Sequence, residues 1–82
     1  MKNANQLAEL ALSSDYDALE DATSKDLVLA LGVVAEEQSP DEEPEILWAM
    51  DAILCELERR TDVDLKTRRW CARIHQGVLA QL

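Results

Sequence analysis

The sequence predicts an all-α fold, a compact bundle of four short helices, or five if a turn near residue 15 is counted. Three observations lead there. Gly and Pro number only two each, too few for the tight turns that an all-β chain needs. Leu, Ala, Glu and Arg, all good helix formers, dominate the composition. Apolar residues recur at spacings of three and four along much of the chain. With 82 residues, 48 % of them apolar, the chain has material for a single helical domain (1–82) with a small core.

Each element has a local reason. The first helix is expected over 3–13, where Leu7, Leu10 and Ala11 fall on one face and Asn3 with Gln6 forms a capping pair. Ser13-Ser14-Asp15 interrupts it. A further helical turn is expected within 15–22, with Tyr16 and Leu19 facing inward. Thr23 and Ser24 then open a second helix, with Asp26 three residues after Thr23. Its run Leu27-Val28-Leu29-Ala30-Leu31-Gly32-Val33-Val34 is apolar on every face, which periodicity alone cannot assign to helix or strand. The cap before it and the Ala35-Glu36-Glu37-Gln38 tail after it favour a helix, and its all-round apolarity places it at the centre.

Ser39-Pro40-Asp41-Glu42 reads as a capping box with proline at the first helical position. Pro44 lacks a backbone donor one turn later, so the helix either starts at Pro40 or restarts at Pro44. It runs to about residue 60. Ile46, Met50, Ile53, Leu54 and Leu57 form its apolar stripe, with Trp48 and Cys55 beside it. Arg59 and Arg60 suit its negative end. In the turn Thr61-Asp62-Val63-Asp64, Asp62 is the expected cap of the last helix, over 63–80. Trp70, Ile74, Val78 and Leu82 lie on one line of that helix. Asp62–Lys66 and Asp64–Arg68 have the spacing of acid-first helical ion pairs. The short link implies an antiparallel hairpin, with Val63 and Leu65 against Leu57 and Leu54.

Charge carries most of the functional information. Residues 1–58 hold fifteen of the seventeen acids and only Lys2 and Lys25 as bases, for a net −13. Residues 59–82 hold Arg59, Arg60, Lys66, Arg68, Arg69 and Arg73 against Asp62 and Asp64, for a net +4. Such asymmetry speaks of partners rather than of fold. Six of the ten residues from Glu36 to Glu45 are acids. A solvated helix start accounts for such a cluster, and so does an edge that docks a basic partner.

Catalysis is not expected. His75, the one histidine, has no acid three or four residues away to orient it. Gly32 and Gly77 stand alone, so there is no phosphate loop. The acids lack the glycine-bearing twelve-residue calcium loop. Cys55 and Cys71 read as reduced core thiols with no Cys or His at metal-ligand spacing. Neither a metal site nor a cofactor is therefore expected. No apolar run approaches the roughly 18 residues of a membrane span, and residues 1–6 lack a signal-like apolar stretch, so the expected compartment is the cytoplasm.

The expectation is a protein-binding module, an adaptor or inhibitor. Trp70, flanked by Arg69 and Arg73, has the composition of an interface anchor, and Leu29, Val33, Trp48 and Leu82 are further surplus apolar candidates. Glu36, Glu37, Glu42, Glu43 and Glu45 would form an acidic edge that sets orientation and association rate. Self-association into a homodimer is a further expectation, because so small a bundle leaves apolar surface to cover. The alternative is a nucleic-acid mimic, whose carboxylates (Asp41 among them) occupy the basic groove of a nucleic-acid-binding protein. In composition alone the chain is similar to the small acidic inhibitors of phages and mobile elements. Direct nucleic-acid binding by the last helix is disfavoured, because the rest of the molecule repels phosphates.

Overall fold

The computed structural model of the chain describes residues 3–36 and 44–81. Among these residues there are five helices and no strand: α1 (Ala4–Leu12), α2 (Asp17–Glu20), α3 (Ser24–Glu36), α4 (Pro44–Arg59) and α5 (Leu65–Gln81). The all-α expectation holds, and the short turn near residue 15 is a helix of its own. The fold measures 33 × 26 × 18 Å.

Local chemistry sets the boundaries. Asn3 Oδ1 accepts the Gln6 N–H at 2.9 Å, and Gln6 Oε1 accepts the Asn3 N–H at 3.0 Å. Two otherwise orphaned donors of α1 are thereby satisfied. At its other end the Asp15 N–H reaches Leu10 O and the Ser14 N–H reaches Ala11 O. This crossed pair is a Schellman ending, and Ser14 adopts the left-handed φ of 65° in which glycine is usual. The four-residue α2 has no side-chain cap. One turn presents only one position inward, and Leu19 takes it at 2 % exposure. Tyr16, expected inside, is exposed instead.

Thr23 Oγ1 accepts the Asp26 N–H and caps α3 as expected. Leu27, Ala30, Leu31 and Val34 are buried, whereas Leu29 is half exposed. The helix expected at the centre is therefore covered on one side only. The central element is α4, which packs against each of the other four helices and buries Ile46, Leu47, Ala49, Met50, Ile53, Leu54 and Leu57. Its described span begins at Pro44. The Ser39–Glu42 capping box and Leu82 lie outside the described residues.

The last helix differs most from expectation. Its cap is Asp64, whose Oδ1 accepts the Thr67 N–H at 3.0 Å. Asp62, expected to cap, instead accepts the Ser24 hydroxyl at 2.6 Å across the fold. Neither acid-first pair forms. Arg68 donates instead to the carbonyls of Val63 and Arg60, closing the α4–α5 turn. Val63 packs against the core, but Leu65 is 64 % exposed. At 3.6 residues per turn Leu65 lies about 120° round the helix from Cys71, which is buried. Only Cys71 and Val78 of α5 are buried, with Ile74 packed partly beside them, so α5 hangs on α4 by a narrow seam.

Candidate functional site

The cations of the described residues divide into two groups. Arg59 and Arg60 both pair with Glu56, at 3.3 and 3.0 Å. Arg60 also donates to Leu19 O and Glu20 O, at the end of α2, and Arg68 is held by the turn. Lys25, Lys66, Arg69 and Arg73 have no ion pair or side-chain hydrogen bond among the described residues.

These four line two neighbouring depressions. One, of about 380 Å³, lies between the start of α3 and the α4–α5 turn and is lined by Lys25, Val28, Leu29, Val63 and Thr67, with Ser24, Asp62 and Asp64. The other, of about 620 Å³, lies along α5 and is lined by Leu65, Lys66, Arg69, Trp70 and Arg73. Thr67 of the first and Trp70 of the second are three residues apart on α5 and so share a flank of that helix. Leu29, Leu65 and Trp70 leave 51, 64 and 40 % of their surface exposed here. The two carboxylates in the groove are already engaged. The Ser24 hydroxyl holds Asp62 below the usual carboxylate range, and the Thr67 side chain and N–H do the same for Asp64.

Arg69, Trp70 and Arg73 are thus brought together as the sequence suggested. Trp48 is not part of that group. It is half exposed on α4, on the flank that continues through Asp51 and Cys55, three and seven residues on. Glu36 is the last described residue of α3 and Glu45 the second described residue of α4, both exposed. Glu37, Glu42 and Glu43 lie outside the described residues, as does Asp41.

The α4–α5 seam holds a cluster that sequence reasoning missed. His75, which has no acid near it in sequence, sits between two acids in space. Its Nδ1 lies 2.7 Å from Glu58 Oε1 and its Nε2 lies 2.7 Å from Asp51 Oδ1. Its side chain is only 11 % exposed. Both nitrogens meet acceptors, which an imidazole satisfies fully only as the two-donor cation. Burial by itself lowers the His75 pKa, but the hydrogen bonds and charges of Glu58 and Asp51 outweigh it and leave the pKa raised.

Cys55, expected in the core, is exposed on the same flank and directs its thiol to Asp51 Oδ1 at 3.8 Å. Partial burial, then Asp51 and Glu58, push its pKa up. Cys71 is buried as expected, with its pKa raised by that burial and by Glu58. The donor atoms of Asp51, Cys55 and His75 all lie within 4.8 Å of one another. A signal did exist in the sequence: Asp51, Cys55 and Glu58 fall at i, i+4 and i+7 on one flank of α4, facing the expected hairpin partner.

No helix among the described residues is long and apolar enough to cross a membrane. The chain matches no protein-family model, no curated protein and no solved structure.

Proposed function

We propose that this chain is a non-catalytic protein-binding module that docks an acidic, amphipathic segment of a protein partner along α5 and the groove beside α3. The observation that carries the reading is the placement of the cations that have no ion pair among the described residues. The molecule has a net charge of −9, yet Lys25, Lys66, Arg69 and Arg73 border the same two depressions as Leu29, Leu65 and Trp70. Trp and Arg are the residues that most often dominate binding energy when a partner covers them. An amphipathic helix laid in such a groove buries its apolar face on Leu29, Val63 and Trp70 and sets its carboxylates on the cations. The acids elsewhere, with Glu36 and Glu45 on the α3–α4 side, repel nucleic acid and orient the approach of a polar partner.

Selection from a displayed library of random peptides on the immobilised full chain tests this. Enriched peptides are expected to combine Asp or Glu with Leu, Phe or Trp at helical spacing. Trp70→Ala and Arg69→Ala are each expected to weaken a selected peptide at least tenfold, about 1.4 kcal/mol, with helicity retained. Enrichment of basic peptides, or binding that depends on Glu36 and Glu45 and ignores Trp70, overturns the reading in favour of the acidic edge.

A further inference from the structure

We propose that Asp51, Cys55 and His75 form a surface binding site for a divalent transition-metal ion, with zinc as the best match, on the seam between α4 and α5. The donor set is one carboxylate oxygen, one thiol sulfur and one imidazole nitrogen, all of which zinc accepts. Bonds of about 2.0–2.3 Å place the donors of a tetrahedral zinc site about 3.3–3.7 Å apart. Here Asp51 Oδ1 stands 2.7 Å from His75 Nε2 and 3.8 Å from Cys55 Sγ. A small outward shift of the Asp51 carboxylate admits the ion between them.

Three further features favour a metal over a simple histidine–carboxylate contact. First, Glu58 already holds His75 Nδ1 at 2.7 Å. This is the outer carboxylate that fixes the ring and leaves Nε2 to the ion, an arrangement that metal-bound histidines regularly show. Second, no Lys or Arg among the described residues pairs with Asp51 or Glu58, so His75 alone stands against the two carboxylates of the cluster. Third, Asp51 and Cys55 are one turn apart on α4, Asp51 touches the opposing ring and Cys55 Sγ lies within 4.8 Å of its donor nitrogen, so the site needs no loop to assemble. When the ion binds, the thiol proton and any proton on Nε2 leave to solvent, and the metal takes bonds to Sγ, Nε2 and Oδ1. Three protein donors leave a fourth position on the solvent side, next to exposed Cys55, which water fills.

This site is separate from the docking surface. Relative to buried Cys71, His75 lies about 40° round α5 on one side and Trp70 about 100° on the other. The two proposals therefore stand or fall independently.

Cobalt(II) titration of the chelator-treated full chain tests the site, because cobalt reports its ligands in its absorption. Saturation at one ion per chain is expected, with visible bands of tetrahedral intensity and a near-ultraviolet thiolate-to-cobalt charge-transfer band that zinc bleaches. Cys55→Ser, at an exposed position, should abolish the charge-transfer band, whereas Cys71→Ala should keep it. Asp51→Asn should weaken binding at least tenfold, and Glu58→Gln by roughly 10- to 100-fold as an outer-shell change. Circular dichroism checks that each variant remains helical. Absence of the charge-transfer band in the parent protein, or its survival in Cys55→Ser, overturns the site. Unchanged affinity in Asp51→Asn overturns the three-donor assignment.

Discussion

Ser24 and Asp62 stand 38 residues apart in the chain and 2.6 Å apart in the fold. The hydroxyl belongs to a buried residue and donates to a carboxylate at the surface, tying the start of α3 to the α4–α5 turn. The bond favours the ionised acid, so the folded-state pKa of Asp62 lies below its ordinary 3.8. A depressed carboxylate pKa contributes stability that is present above the unfolded value and is lost as pH falls through the folded one. We expect Ser24→Ala and Asp62→Asn each to flatten the dependence of melting temperature on pH below about 4, with a smaller effect at pH 7; parallel melting curves for variants and parent across that range would contradict this. The same contact shows where sequence reading stops. The Asn3–Gln6 box and the Thr23 cap are legible because donor and acceptor sit three residues apart. The Ser24–Asp62 bond and the Glu58–His75–Asp51 cluster join residues brought together only by helix packing.

At the scale of the element, periodicity together with caps and flanking residues identified every helix among the described residues, and the misreadings concern which side faces in. Leu65 is expected to pack against Leu57 and Leu54, yet α5 buries Cys71 and Val78; a helix with alternating bases and apolar residues offers two candidate stripes, and hydrophobicity alone does not choose between them. The short α2 illustrates the opposite problem, since a four-residue helix has almost no intrinsic stability. Leu19 anchors it, and the Arg60 guanidinium ties its end to α4 through Leu19 O at 3.1 Å and Glu20 O at 3.2 Å. Arg60→Ala is therefore expected to cost about 1–2 kcal/mol, a fall of about 4–16 °C in Tm for a domain of this size. Arg60→Lys should recover little of it, because an ammonium lacks the planar fork that reaches both carbonyls and Glu56. Full rescue by lysine in a thermal melt would show that charge alone was at work.

For the molecule as a whole, the mass of the core lies among α1, α3 and α4, with α2 as a brace. The fold class was legible because composition, capping and the scarcity of Gly and Pro all agreed. The central position of α4 was not, because the all-round apolarity of α3 concealed its half-exposed side. The narrow seam of α5 has a dynamic consequence. A segment with two buried residues opens at a lower free-energy cost than the body it leans on. Amide hydrogen exchange should therefore proceed through a partial opening in which α5 leaves first, its amides trading with solvent faster than those of α3 and α4; uniform protection across all three would refute this. The stretch with the most unclaimed positive charge is thus also the most readily released, and occupancy of it would register as retarded deuterium uptake before any other change in the molecule.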